Sequence, residues 1–244
     1  MLWNDGAGDA ACQHKSSYWK APQFRSWVLN SSPVRDTIII NDRCGAGCIG
    51  DYTTGGDRFT PGHKLPYKWE SCYTIQEGSW GYDRNPSDPY HPLDFLIYQL
   101  VETVACNGNL LLNVGPTADG RLDPIFEERL MGIGTWMDIN GEAIYGSVPW
   151  KVQNDTSSKQ TWYTASQDGQ SVYAITFEGI TPGQVFTLTQ PQATKSTMVQ
   201  FLGYEGFLKY SQTSEGLAIL VPTDLDRNKF SGQPAWTFKL SNVL

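Results

Sequence analysis

Apolar positions follow two different rhythms along this chain. In the first half, Leu93, Leu96, Ile97, Leu100, Val101 and Val104 recur at helical spacing behind Pro92, which suits a first turn because its missing N–H would be unbonded there anyway. Ile125, Phe126, Arg129, Leu130, Ile133 and Trp136 repeat the pattern, with Asp123-Pro124 as N-cap and first helical residue. Asn140-Gly141, a pair tolerant of positive φ, is expected to end that helix. Between the two lies the short apolar run Asn109 to Val114, closed by Gly115-Pro116. Helix, strand, helix is the repeating unit of a parallel α/β sheet or barrel. Upstream, Ala21 to Asn30 reads as a helix and the β-branched run Thr37-Ile38-Ile39-Ile40 as a strand. The polar, Gly-rich stretch from Asp42 to Asp88 exceeds an ordinary connection, and its tryptophans and tyrosines mark it as an ordered functional loop.

After Pro149 the helical rhythm stops. Short aromatic and β-branched runs separated by turn signals follow: Thr161 to Ala165, Ser171 to Phe177, Val185 to Leu188, Thr197 to Leu202, Gly216 to Val221 and Ala235 to Leu240. Their spacing suits a β-sandwich, and Asp168-Gly169 marks a hairpin between the first two. The expected division is therefore an α/β part over 1–147 and an all-β part over 148–244.

Composition narrows the function classes. A chain of 244 residues with 40% hydrophobic positions can bury a core, which excludes a disordered tail. Its net charge of −7 repels phosphate backbones, and no Lys/Arg cluster offers a local exception, so nucleic acid is excluded as a partner. No apolar run approaches the roughly 18 residues of a membrane span, and no secretory leader is visible at Met1 to Gly6. Five cysteines with no CxxC pair and three scattered histidines give no metal site; they leave room for one or two disulfides and a leftover thiol. Asn30-Ser31-Ser32 and Asn154-Asp155-Thr156 are N-glycosylation triplets, relevant in a secreted chain.

No phosphate-binding Gly loop, serine nucleophile elbow or histidine pair is present. What remains is carboxylates beside aromatics: Trp3-Asn4-Asp5-Gly6, Asn41-Asp42-Arg43, the loop through Asp57, and Lys68-Trp69-Glu70. Aromatic faces stack on pyranose rings and carboxylates fork hydrogen bonds to hydroxyls, so this grouping fits a sugar site, where glycoside hydrolysis uses a pair of carboxylates.

Those motifs, with Ser32-Pro33-Val34-Arg35-Asp36, Ser79-Trp80-Gly81-Tyr82, Gly108-Asn109-Leu110-Leu111-Leu112-Asn113-Val114-Gly115-Pro116 and Asn140-Gly141-Glu142-Ala143-Ile144-Tyr145, resemble the α-L-fucosidases of glycoside hydrolase family 29, of the animal lysosomal or secreted type. The resemblance implies a β/α (TIM-type) barrel followed by a β-sandwich, with 1–147 as a partial catalytic barrel lacking its first strands. It implies retaining hydrolysis of terminal α-L-fucose by double displacement, without a cofactor. Fucosylated glycans or glycoproteins would be the partners, the location lysosomal or secreted, and a homo-oligomer one option for assembly. Asp5 matches the nucleophile. Asp57 is the first choice for the general acid/base and Glu70 the second, with a structural pairing to Arg43 or Lys68 as the alternative role for Glu70. Trp3 and Trp80 match positions that contact fucose. Arg43 either holds a sugar hydroxyl or the nucleophile, or forms a structural ion pair with Asp42 or Asp36. Cys44 stands where the family usually has tryptophan, so it either bridges to Cys48 or contacts substrate. A non-catalytic fucose-binding protein on the same scaffold is the alternative function.

Overall fold

The computed structural model describes residues 1–5, 20–44, 48–84, 88–158, 160–226, 230 and 232–244. Helix α1 (Ala21–Asn30) carries Pro22 in its first turn and buries only Val28, leaving Phe24 and Trp27 exposed. Strand β1 (Trp69–Thr74) is followed by α2 (Leu93–Ala105), β2 (Gly108–Asn113) and α3 (Pro124–Asn140). The predicted stripe of α2 is the buried one, through Leu96, Ile97 and Val101.

β1 and β2 pair in parallel from Trp69 with Gly108 to Thr74 with Asn113. Single parallel bridges extend the succession outward: Thr53 with Trp69, Asn41 with Tyr52, and Leu2 with Ile40. The chain segments around Leu2, Ile40, Tyr52, Trp69 and Gly108 thus lie side by side, and among the described residues this parallel succession is open. A parallel sheet of this kind presents its ligands' side chains at the carboxyl ends of its strands, where the loops gather. Gly108 is required by packing: a Cβ there would lie 2.5 Å from the Trp69 ring, which is fully buried beside it.

Two expectations need correction. The stretch from Asp42 to Asp88 is not one loop, because β1 lies inside it with every residue buried; a strand covered on both faces shows no alternation to find. The run Thr37 to Ile40 forms no strand: only Ile40 is buried and bridged. Helix α3 ends at Asn140, as expected, but without positive φ: Asn140 and Gly141 stand at −107° and −58°, and a 3-10 turn, Gly141–Ala143, follows directly.

From Val148 onward all pairing is antiparallel. Strands β3 (Val148–Asn154), β4 (Thr161–Ala165), β5 (Ser171–Thr176), β6 (Val185–Leu188), β7 (Ala193–Phe201), β8 (Tyr210–Gln212), β9 (Leu217–Leu220) and β10 (Trp236–Val243) form two sheets. The five-stranded sheet has the order β3-β4-β5-β10-β7 and the three-stranded sheet β6-β9-β8. Strands β3 and β8 had no counterpart among the predicted runs. The Asp168-Gly169 hairpin joins β4 to β5 as predicted, with Gly169 at φ +71°.

Alternation along β4 and β5 explains why both are buried throughout. Tyr163, Val172 and Ala174 point between the two sheets, against Leu188, Leu217 and Ile219. Trp162, Tyr173 and Ile175 point the other way, into a core shared with Trp69, Ile97, Val101 and Trp136. The large sheet is therefore clamped between the small sheet and helices α2 and α3. Trp136 Nε1 donates to the Ala235 carbonyl at 3.0 Å and Thr164 Oγ1 to the Ala143 carbonyl at 2.7 Å across this seam. Lys239 and the Tyr173 hydroxyl both reach the Glu142 carboxylate there.

Candidate active site

A cavity of about 310 Å³ opens at the carboxyl side of the parallel segments, lined by Trp3, Asp5, Asp57, Cys72, Trp80, Leu111 and Asn113. Cys72 on β1 and Leu111 on β2 are register partners, and Asn113 follows on the same face of β2. Asp5 comes from the segment whose Leu2 bridges Ile40. That segment is pinned by Asn41, fully buried, which accepts the Asn4 N–H at 2.8 Å and donates to the Asn4 carbonyl at 2.9 Å.

Asp57 is set by a local backbone reversal. It bridges Cys72, and the next residue, Arg58, adopts the left-handed region at φ +56° while its N–H bonds the Cys72 carbonyl at 2.9 Å. Consecutive side chains then diverge. Asp57 faces the cavity, whereas the Arg58 guanidinium lies 5.0 Å from the Trp80 ring centroid and donates to the Glu77 carbonyl at 2.6 Å. Trp80 is further held by Asn113, whose Nδ2 donates to its carbonyl at 2.7 Å. Gly115 lets this loop approach: a Cβ there would sit 2.4 Å from the Gly81 carbonyl carbon.

Arg43 ties the wall together. Its Nη1 stands 3.5 Å from Asp5 Oδ1 and its Nη2 2.5 Å from Asp57 Oδ1, while its Nε donates to Thr54 Oγ1 at 3.1 Å. The guanidinium also lies 5.0 Å from the Trp3 ring centroid, within cation–π range. Burial acts to lower the Arg43 pKa, but the Asp57 hydrogen bond and the charges of Asp57 and Asp5 outweigh it and hold the group above its ordinary value. Burial pushes the Cys72 thiol up to about 12, with Arg43 opposing and Glu70 adding to the rise.

Beneath the cavity sits Glu70, 1% exposed. Its Oε1 accepts from Trp3 Nε1 and its Oε2 from Asn109 Nδ2, each at 2.8 Å. Both carboxylate oxygens are thus committed to neutral N–H donors.

Residues 1–142 match the family described as Alpha-L-fucosidase, and residues 153–241 match the Alpha-L-fucosidase C-terminal domain. The chain belongs to the α-L-fucosidase family. It is 42% identical over 249 aligned residues to the alpha-L-fucosidase of Branchiostoma floridae and 43% identical over 250 to the human plasma alpha-L-fucosidase. Those alignments cover all of this chain but 54% and 52% of the relatives, so it spans about half their length. Among solved structures, the Thermotoga maritima α-L-fucosynthase in complex with α-L-Fuc-(1-2)-β-L-Fuc-N3 superposes with a TM-score of 0.76 at 26% identity, covering 98% of this chain and 50% of that one.

Against this family background, the structure brings Asp5, Asp57, Trp3 and Trp80 to one cavity, with Arg43 joining the two aspartates. Arg43 pairs with neither Asp42 nor Asp36: Asp42 accepts from Thr54, and Asp36 contacts Arg35. Glu70 lies outside the residues lining the cavity and contacts neither Arg43 nor Lys68, whose Nζ donates to Asn107 instead. Trp69 is fully buried and donates to the Cys106 carbonyl. Cys44 and Cys48 form a disulfide, and Cys72 and Cys106 are free and buried; Cys12 lies outside the described residues. Asn30 is exposed at the end of α1, and Asn154 ends β3, half-buried. Sequence reading gave Thr54, Asn109 and Asn113 no site role: their neutral polar side chains carry no chemical signature until the fold sets Thr54 beside Arg43, Asn109 beside Glu70 and Asn113 in the cavity wall.

Proposed function

We propose that this chain carries the nucleophile and general acid/base of an α-L-fucosidase, in a partial β/α barrel over 1–147 followed by a β-sandwich over 148–244. It removes terminal α-L-fucose from glycoconjugates with retention of configuration. The supporting observation is that Asp5 and Asp57 share one cavity and one guanidinium, in a chain whose family is that of the α-L-fucosidases. In the first step the Asp5 carboxylate attacks the anomeric carbon as the glycosidic C–O bond breaks, and protonated Asp57 gives its proton to the leaving oxygen. In the second step Asp57 takes a proton from water, which attacks the same carbon and releases Asp5. Arg43, fixed between the two acids, keeps them in register through both steps. Trp3 and Trp80 flank the space a pyranose ring would occupy. Glu70 holds Trp3 in place and takes no proton. The plasma and tissue fucosidases among the relatives support a secreted or lysosomal location.

The test is to follow hydrolysis of an aryl α-L-fucoside by the protein with proton NMR. Release of α-L-fucose ahead of its β anomer is the expected result. Appearance of the β anomer first overturns the retaining reading, and fucose binding without hydrolysis favours the non-catalytic alternative.

A further inference from the structure

The three N–H edges of Arg43 do not have equivalent partners. Nη1 and Nη2 face Asp5 and Asp57, two acids that are 62% and 42% exposed and therefore able to move. The third edge, Nε, meets a neutral hydroxyl, Thr54 Oγ1, at 3.1 Å, and Thr54 is nearly buried. That hydroxyl is in turn oriented from behind. It donates to Asp42 Oδ1 at 2.7 Å, and the same oxygen accepts the Thr54 backbone N–H at 2.9 Å. A hydroxyl has one proton; once it is given to Asp42, the lone pairs must face Arg43. The order of donation along Arg43, Thr54 and Asp42 is therefore fixed, and it leads from the exposed acids through buried Thr54 to half-buried Asp42.

We propose that Thr54 is a positioning residue for the fucosidase reaction: its hydroxyl, oriented by Asp42, fixes the plane of the Arg43 guanidinium and through it the spacing of Asp5 and Asp57. A guanidinium held only by two exposed carboxylates and the face of Trp3 can turn as a rigid plane about its Cδ–Nε bond and follow either acid. Anchoring Nε removes that freedom. The proposal rests on the reading of Asp5 and Asp57 as the catalytic pair, while the Thr54–Arg43 contact itself does not depend on it.

The experiment compares Thr54→Val, which keeps the shape and removes the hydroxyl, with Thr54→Ser, which restores it. The first readout is the Arg43 Nε–H resonance in nitrogen-15 NMR, identified by its absence in Arg43→Lys. A slowly exchanging signal is expected in the unaltered chain and in Thr54→Ser, and its loss in Thr54→Val; a protected signal in Thr54→Val overturns the proposal. The second readout is aryl fucoside hydrolysis by the same proteins. Because displacement of a catalytic group by about 1 Å costs about 100-fold, and the two acids still hold the fork, Thr54→Val should lower kcat about tenfold with KM within about twofold. Thr54→Ser should recover most of it. Loss of the resonance with unchanged kcat overturns the positioning role. An equal fall in Thr54→Val and Thr54→Ser shows a packing effect and also overturns it. An unaltered protein that hydrolyses no fucoside overturns the functional reading instead, and the NMR comparison still decides the contact.

Discussion

Replacing Glu70 by glutamine separates a proton donor from a structural anchor, because the side chains have the same shape and differ in what their second atom can accept. In the native chain both oxygens of Glu70 receive an N–H, one from Trp3 and one from Asn109. A glutamine can accept from only one of them; its NH2 must face the other donor. The change removes one charge-assisted hydrogen bond of about 1.5–3 kcal/mol and reduces the other to a neutral one of about 1 kcal/mol. With Glu70 1% exposed, water cannot compensate, so the expected destabilisation is about 2–5 kcal/mol, read from the midpoint of urea unfolding at constant slope. Activity should fall as Trp3 loses its tether, and the loss should be similar for aryl fucosides with good and poor leaving groups. External azide should not restore it. A Glu70→Gln protein that is as stable as the original, or one whose slow turnover is rescued by azide, refutes the assignment of Glu70 as an anchor.

Asp155 gives a pH prediction. It is buried, which acts to raise its pKa, yet hydrogen bonds from Thr189, Tyr163 and Ser157 bring it below the ordinary carboxylate value. A depressed folded-state pKa adds stability that is fully present above the unfolded value of about 3.9 and is lost as pH falls through the folded value; Asp155→Ala should cost about 3 kcal/mol or more at neutral pH and flatten the acid limb of a melting-temperature profile. Burial holds Cys72 and Cys106 each at about 12, so iodoacetamide near pH 8 should leave both unmodified in the folded chain and alkylate both in denaturant, as peptide mass mapping would show. Gly108→Ala should destabilise by about 1–3 kcal/mol, because the new methyl meets the buried Trp69 ring and the Thr103 methyl in a seam with no room to yield; a denaturant midpoint equal to that of the original sequence contradicts this.

Helices α2 and α3 are readable by their apolar spacing and Pro-led starts, although α2 is covered nearly all round past its first turn. Strands β4 and β5, buried throughout, are readable by their aromatic and β-branched residues. β1 is buried on every residue and includes Glu70, Ser71 and Thr74, so its pattern looks like polar loop. The run Thr37 to Ile40 misleads in the opposite way: β-branched residues there serve one bridge at Ile40, with Ile39 left exposed. The end of α3 at Asn140 is legible in Asn140-Gly141, while the 3-10 turn that follows, closed by Ile144 and Tyr145 on the Gly141 carbonyl, has no local signal.

The site divides along similar lines. Asp5, Asp57, Trp3 and Trp80 stand in short motifs whose chemistry is visible one residue at a time, and the fold gathers them. Sequence reading ranks Asp57 ahead of Glu70 without geometry behind the order, since both are acids near aromatic residues. The difference lies in position: Asp57 faces the cavity from a left-handed turn, and Glu70 is locked beneath it by two amide-type donors. Thr54 and Asn109 matter only through the charged groups they touch, which are distant in sequence.

The most direct measurement of the central claim is azide trapping with the Asp5→Gly, Asp57→Ala and Glu70→Ala variants of the protein, using an aryl α-L-fucoside with a good leaving group. The account predicts β-L-fucosyl azide from the Asp5 variant, because azide then attacks opposite the leaving group, and α-L-fucosyl azide from the Asp57 variant, because azide there intercepts the covalent intermediate. The Glu70 variant should form neither. No azide product from the Asp5 variant, or α-L-fucosyl azide from the Glu70 variant in place of the Asp57 variant, contradicts it.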